Sequence, residues 1–284
     1  MSAIRLTVHD HAAGFIAAAA EFLHCAEAEN SMISMPAARM AMAPSDDDAG
    51  TYLATVTRQE RVVAAALHGA SGSILLTAAP DAAAALIAND LADRGRSPRS
   101  LVGPLAPCED FARTWRGRTG QAHMLRFHLR HFELTTTPAA SQVRGRLRLP
   151  EPGEHLLISE WQLAFAAEAG LPDEGERVRR NVMRRIARGL VRVWDDEGAV
   201  AFVAFGEGAA TARIAPVYTP PRFRGRGYAS AMVAALSREL IAAGKRALFL
   251  TTDVANPTSN GIYRRIGFQP VADHFHFDFV AAPA

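Results

Sequence analysis

Apolar residues recur along the chain with two different periods, and the places where one gives way to the other outline a mixed α/β protein. Ile4–Val8 alternates as a first strand. Residues 11–29 are alanine-rich and read as a helix, and residues 36–42 as a second, short one. Residues 44–48 form a loop. Strands are predicted over 52–57 and 62–68, joined by a turn at 58–61, with another short strand over 74–77. Pro80 suits a helix start, and that helix runs to Asp93. Residues 100–102 read as a strand and 109–116 as a helix. Residues 121–134 fit either period, with strand favoured toward the end.

Residues 135–141 (TTTPAAS) break the periodicity and mark a boundary. Beyond it the same order returns. Helices are predicted over 154–169 and 175–188, then strands over 191–194 and 200–205 around the turn Asp195-Asp196-Glu197-Gly198. A strand over Thr211–Tyr218, a helix over 228–243, a strand over Ala247–Asp253, a short helix over 258–265 and a last strand over 275–279 complete the series. The two halves share this order of elements with little residue identity, which points to an internal duplication. The expected organisation is α/β, a mixed and mostly antiparallel sheet flanked by helices in each of two domains. These domains are residues 1–134 and 151–284, with a linker and first strand region at 135–150.

Composition narrows the classes. A chain of 284 residues with 49% hydrophobic residues can build two cores. The formal net charge is only +2, which calls for no nucleic-acid partner. Lys245 is the sole lysine, all other basic chains being arginine, and so chain-wide a skew lowers the weight of any local arginine cluster. Cys25 and Cys108 stand alone, without disulfide or metal-ligand spacing, which fits a reducing cytoplasm. Residues 15–23 are apolar but interrupted by Glu21 and too short to cross a bilayer, so no membrane association is expected.

The candidate chemistry lies in the second half. Arg222-Phe223-Arg224-Gly225-Arg226-Gly227-Tyr228-Ala229 joins a strand to a helix. Its two glycines permit backbone angles closed to other residues and a close approach by a ligand. Its N–H groups converge at a helix N-terminus, where the helix dipole also favours an anion, so the segment suits a pyrophosphate. It lacks the lysine-serine ending of an ATP-binding glycine loop and the three spaced glycines of a dinucleotide fold. The matching position of the first half reads AAPDAAAAL and has no glycine. A second segment, Asn256-Pro257-Thr258-Ser259-Asn260-Gly261-Ile262-Tyr263-Arg264-Arg265-Ile266-Gly267-Phe268, follows the next strand.

Together these two segments resemble the GCN5-related N-acetyltransferases (GNAT). The family's coenzyme A loop, Gln/Arg-x-x-Gly-x-Gly/Ala, is matched by Arg222, Gly225 and Gly227, and its later Asn, Tyr and Gly-Phe by Asn256, Tyr263, Gly267 and Phe268. The motifs cover residues 190–270; the first half matches in element order alone, as in tandem members in which one domain has lost the coenzyme site. The resemblance implies an acetyl-CoA-dependent N-acetyltransferase that transfers the acetyl group directly to a primary amine of a small molecule or peptide, without metal, as a monomer or homodimer. It implies that Val217, Tyr218 and Thr219 meet the pantetheine and the thioester carbonyl, that the amides from Arg224 through Arg226 to Ala229 hold the pyrophosphate, and that arginine side chains meet the 3′-phosphate. Tyr263 is implied as general acid, or as a ring packed on the pantetheine arm. Asn256 either binds the pantetheine or caps the turn before Pro257, and Ser259 either contacts the coenzyme or faces solvent. A longer acyl group, a non-amine acceptor, or a non-catalytic acyl-CoA sensor are the alternative functions.

The general base is left open among Glu160, Glu168, Asp253 and water, because Thr211–Tyr218 carries no carboxylate. Three other groups of residues read as structural. His274, His276 and Asp278 form a wet polar face opposite Phe275, Phe277 and Phe279. Arg177, Arg180, Arg184 and Arg188 form the solvated side of an amphipathic helix. Trp161 and Phe165 are core, or the apolar wall of an acceptor pocket.

Overall fold

The computed structural model describes residues 4–80, 82–171 and 175–281. Among the described residues, twelve strands and eight α-helices follow the order β-α-α-β-β-β-α-β-α-β twice. The first series is β1 Ile4–Val8, α1 Ala12–Cys25, α2 Glu27–Met42, β2 Tyr52–Arg58, β3 Arg61–His68, β4 Ser73–Leu76, α3 Ala83–Asp93, β5 Ser100–Gly103, α4 Leu105–Thr119 and β6 Ala122–Leu134. The second is β7 Arg146–Arg148, α5 Glu154–Glu168, α6 Gly175–Ala187, β8 Val191–Asp195, β9 Ala199–Glu207, β10 Thr211–Tyr218, α7 Tyr228–Ala242, β11 Ala247–Asp253, α8 Pro257–Ile266 and β12 Gln269–Val280. The duplication of element order therefore extends through every element.

Three helices differ from expectation, one of them α4, which starts at Leu105, four residues before the expected 109. α2 starts at Glu27 and carries Pro36 in its interior, whereas a separate helix was expected from Pro36 onward. The break falls earlier, at Ala26, whose φ of −137° and ψ of 63° are not helical. Buried Ile33, Met35 and Ala37 hold the segment on both sides of the proline, so packing outweighs the hydrogen bond that the proline lacks. α3 begins at Ala83, three residues later than Pro80 suggested.

The chain forms two compact units. One comprises Met1–His131, Thr252–Asn256 and Val271–Ala284; the other comprises Phe132–Thr251 and Pro257–Pro270. The main division falls between His131 and Phe132, and the last strand of the chain belongs to the first unit. The reason is its partner: β12 pairs antiparallel with β5, Phe275 opposite Gly103 and Asp278 opposite Ser100, so the last strand of the chain completes the sheet of the first unit.

In the first unit β1 to β4 form an antiparallel series, and β4 then runs parallel to β5. The β2–β3 turn places Gln59 and Glu60 at φ 50° and 64°, the handedness that matches strand twist in a two-residue hairpin. Phe111 and Trp115 of α4 pack with Ile87 and Leu91 of α3 against this sheet, and Phe275, Phe277 and Phe279 join them from β12. The opposite face of β12 is not wet as expected. His274 is buried with its ring 4.2 Å from that of His131, and Asp278 pairs with Arg126 at 2.7 Å.

In the second unit the order is β7-β8-β9-β10-β11, antiparallel up to β10 and parallel between β10 and β11. One sheet face, with Val203, Phe205, Ala212 and Ile214, packs on Met232, Val233 and Leu236 of α7. The other, with Val191, Val193, Phe202 and Tyr218, packs on Ile158 and Trp161 of α5 and Val182 of α6. Trp161 thus belongs to the core, stacked on Phe202 at 6.3 Å, and Phe165 meets Tyr218 edge-on at 6.4 Å.

Candidate functional site

The site is organised by what happens at β10. This strand pairs with β11 over Thr211, Ala212 and Arg213 only, while its pairing with β9 continues to Val217 and Tyr218. The downstream half of β10 therefore parts from β11, and the main-chain groups on that edge make no rung to it. The pairing with β9 also shifts register between Ile214 and Val217, which stand opposite Phe205 and Val203. One extra residue on β10 reverses the alternation there. Before this bulge the even-numbered residues face α7; after it Val217 faces α7 and Tyr218 turns to α5.

The segment after β10 is a single 3₁₀ turn, Pro221–Phe223, with Pro at its start, followed by the loop that leads into α7. Gly225 and Gly227 adopt φ of +78° and +81°, a region that side-chain-bearing residues rarely enter. A Cβ on Gly225 would meet open space, whereas one on Gly227 would lie 3.0 Å from Val143 Cγ2. Between the N–H of Arg224, which donates to Pro221 O, and that of Ala231, which donates to Gly227 O, the N–H groups of Gly225, Arg226, Gly227, Tyr228, Ala229 and Ser230 have no protein acceptor among the described residues. They surround the N-terminus of α7, where the helix dipole adds positive potential. The Thr219 hydroxyl is likewise buried without a hydrogen-bond partner at the end of β10. A cradle without Cβ atoms, a run of unspent donors and an orphaned hydroxyl fit a large anionic ligand such as a pyrophosphate.

Side chains of the loop divide into two groups. Arg222 and Arg226 are exposed, Arg222 lying over the Phe223 ring at 4.7 Å. Arg224 is held back: its Nε donates to Thr219 O at 2.8 Å and its Nη2 to the Glu168 carboxylate at 2.6 Å. Tyr228 contributes its N–H alone, because its ring is buried and its hydroxyl donates to the Asp196 carboxylate. Ala229 lies in the first turn of α7.

Tyr263 sits on α8, with its ring 6.4 Å from Phe132 and 6.0 Å from Phe268. Its position is fixed by the end of that helix. Phe268 N–H donates to Tyr263 O at 3.0 Å and Gly267 N–H to Arg264 O at 3.1 Å, the paired bonds of a Schellman cap, with Gly267 at φ +115°. The Gly-Phe of the sequence motif is thus the cap that anchors the tyrosine. Burial pushes the phenol up to about 12, and its hydroxyl has no hydrogen-bond partner among the described residues. Ser259 lies on the same helix, half-buried. Asn256 belongs to the segment Thr252–Asn256 of the first unit, where its N–H donates to Asp253 O.

The three carboxylates considered as base differ in surroundings. Glu160 is exposed on α5. Glu168 accepts from Arg224 and also from the Tyr218 hydroxyl at 2.9 Å. Asp253 caps a turn, its Oδ1 accepting from Ala255 N–H at 2.9 Å. Among the described residues no group of three or more His, Cys, Asp or Glu is placed to hold a metal ion.

Sequence reasoning passed over two residues. Arg213 lies in the middle of β10, and Arg185 of α6 donates to Ala215 O, in the bulge, at 3.0 Å. The signal available was a lone charge inside TARIAPVY, an otherwise apolar strand. Of the arginines expected on the solvated side of α6, Arg180 and Arg188 are exposed, while Arg177 and Arg184 are half-buried.

In the second unit β10 thus leaves its parallel neighbour beside a main-chain anion cradle. Residues 155–268 match the Acetyltransferase (GNAT) family. The fold likeness extends over the whole chain. A GCN5-related N-acetyltransferase from Sphaerobacter thermophilus superposes with a TM-score of 0.63 at 15% identity, covering 98% of this chain and 96% of its own. A Drosophila protein reaches 0.68 at 12% identity, with all of both chains covered. A tandem GNAT protein from the clavulanic acid biosynthesis pathway gives 0.58 at 15% identity, covering 99% of each chain. At these identities the three likenesses concern the fold. No curated protein matches the chain.

Proposed function

We propose that the chain is an acetyl-CoA-dependent N-acetyltransferase that transfers the acetyl group directly to a primary amine, with one coenzyme site, in the second unit. The observation that carries this reading is the run of N–H groups from Gly225 to Ser230 without an internal acceptor, at the point where β10 leaves β11. Those amides take the pyrophosphate, and the exposed guanidinium groups of Arg222 and Arg226 take the 3′-phosphate. The free edge of β10 at Val217, Tyr218 and Thr219 offers its main chain to the pantetheine arm and to the acyl carbonyl, whose oxygen gains charge as the amine attacks. When bound, acetyl-CoA supplies an acyl group already activated as a thioester. Tyr263 gives its hydroxyl proton to the departing sulfur, which requires the phenol to be protonated at neutral pH, and burial secures that. Ser259, on the helix of Tyr263, lies beside the pantetheine in this reading. The amine loses its proton to water or to a carboxylate, of which Glu160 is the one without an occupied partner among the described residues.

Connection β4–α3 of the first unit carries no glycine, and its Ala83 and Ala84 are buried, so no coenzyme is expected in that unit. Calorimetric titration with acetyl-CoA is expected to give one site per chain, and an amine panel is expected to release free thiol. Two equivalent sites, or no binding, would sink the assignment. Binding without thiol release from any amine would leave a sensor.

A further inference from the structure

Arg213 and Arg185 form an unusual pair. Before the bulge, odd-numbered residues of β10 face α5 and α6, and Arg213 is one of them. Its Nη2 donates to Thr251 Oγ1 at 3.1 Å, while its Nε is buried and has no partner. Arg185 reaches the same strand from α6 and spends one N–H on Ala215 O at 3.0 Å. Neither guanidinium has a carboxylate within ion-pair distance among the described residues. Glu168, on the helix packed beside them, is taken by Arg224 and Tyr218. The electrostatic neighbours of the pair are themselves cationic: Arg185 acts on Arg213, and Arg184 on Arg185. Burial, with that repulsion, holds both guanidinium groups down to about 10. Two like charges on half-buried side chains without a counter-ion disfavour the fold, and a bound anion removes both the repulsion and the missing hydrogen bonds.

We propose that Arg185 and Arg213 bind a carboxylate of the acceptor, so that the amine this enzyme acetylates is carried by an amino acid or a similar compact amino-carboxylate. Three features converge. The unspent Nε of Arg213 and the forked geometry of a guanidinium suit a carboxylate. The bulge frees the Ala215 carbonyl that orients Arg185. Arg213 also lies on the strand that carries Val217, a few residues upstream at about 3.3 Å per residue, so a carboxylate held there leaves the amine several bonds away, toward the acyl carbonyl. The inference rests on the proposed acetyl transfer for the identity of its ligand as an acceptor, but the anion site is measurable without turnover.

The test compares ω-amino acids, from β-alanine to 6-aminohexanoate, with alkylamines of the same lengths. The full chain without coenzyme is expected to gain thermal stability with at least one amino acid and with no alkylamine. In turnover, the favoured amino acid is expected to show a KM at least tenfold below that of its alkylamine. Arg213→Gln and Arg185→Gln should raise that KM ten- to a hundredfold, a rise at least tenfold greater than any they cause for the alkylamine of the same length. Arg213→Lys should retain part of the preference, which covers the case in which the neutral variant folds poorly. Equal stabilisation and equal KM for both series would overturn the proposal, as would a loss in the variants shared by both series. Stabilisation by the amino acid in a chain that binds no acetyl-CoA would uphold the anion site and sink the transferase reading instead.

Discussion

The Arg224 guanidinium lies 2.6 Å from the Glu168 carboxylate, and the same carboxylate accepts the Tyr218 hydroxyl at 2.9 Å, so one acid at the end of α5 joins the end of β10 to the glycine-containing loop before α7. Arg224 completes the group by lying 5.6 Å over the Tyr218 ring. Burial, and then the bond to Glu168, raises the Tyr218 phenol above its ordinary value, which keeps it a donor. Glu168 is a positioning residue in this arrangement, since both its oxygens already accept from fixed donors.

The first prediction follows from that pair. Both partners are nearly half exposed, and exposed ion pairs contribute about 0–1 kcal/mol. Glu168→Gln should therefore shift the melting temperature by less than about 4 °C. With Arg224 released, the KM for acetyl-CoA should change, while turnover stays within about tenfold of the parent. A turnover loss of about 10²–10⁴ together with loss of the acidic limb of the pH profile would make Glu168 the base instead.

The two loop glycines should not behave alike. Gly225→Ala meets open space and suffers only from its left-handed backbone, worth about 1–2 kcal/mol. Gly227→Val adds a tight contact with Val143, whose Cγ2 lies 3.0 Å from the new Cβ, at the residue that caps the N-terminus of α7. Titration of both variants with acetyl-CoA should show a modest loss for Gly225→Ala and a severe one for Gly227→Val. Equal, near-parent affinities would remove the main-chain cradle from the coenzyme site.

These contrasts show what could be read in the sequence. Gly225, Gly227, Gly267 and Phe268 announce turn and cap geometry locally, because a left-handed backbone selects glycine and a Schellman cap places a buried apolar residue after it. The order of elements was legible for a similar reason: each strand and helix has its own period. The long-range features were not. Nothing local to residues 275–279 says that they pair with β5, since an alternating strand fits any free sheet edge. Covered His274 looked wet because alternation reveals which residues share a face, and not what lies over that face. Pro36 misled in the opposite direction, a local signal overridden by packing on both sides. Arg185 was invisible because its partner on β10 is a carbonyl exposed by a bulge, which has no sequence mark of its own.

Arg148 predicts a pH dependence of stability. It bridges β7 to Glu154 at 2.8 Å and to Asp195 at 2.9 Å, with all three side chains mostly buried. The bonds from Arg148 hold the carboxyl groups of Glu154 and Asp195 below their ordinary values. A carboxylate depressed in the folded state binds protons more weakly there than in the unfolded chain. Its contribution is therefore present above about pH 4 and is lost as pH falls through the folded values. Arg148→Met should be less stable at pH 7 by about 1–3 kcal/mol, and its stability should depend less on pH below about 4. Denaturant titrations at pH 7 and along the acid range measure both effects; parallel curves for parent and variant would show that the bridge contributes nothing.

The strongest test concerns Tyr263. Tyr263→Phe keeps the ring between Phe132 and Phe268 and the Schellman cap below it, and removes a hydroxyl that bonds to nothing among the described residues. Stability should hardly change, because no internal hydrogen bond is lost. If the hydroxyl protonates the leaving sulfur, kcat should fall by about 10²–10⁴ while acetyl-CoA affinity stays near the parent value. The loss should shrink with a thioester whose leaving group is a weaker base, since that sulfur needs less protonation. The raised phenol also fixes the alkaline behaviour. With its pKa pushed up to about 12, Tyr263 stays protonated beyond the ordinary tyrosine range, so activity should not decline at pH 9 through its ionisation. A group raised in the folded state favours folding below its unfolded value near 10, and that contribution disappears as pH climbs toward about 12. Tyr263→Ala, by contrast, removes the ring and should cost about 3–5 kcal/mol of stability as well as raise the KM for acetyl-CoA. Steady-state kinetics of both variants at saturating acceptor separate the roles. A Phe variant with parental kcat would leave Tyr263 as packing alone and move the proton donor to water.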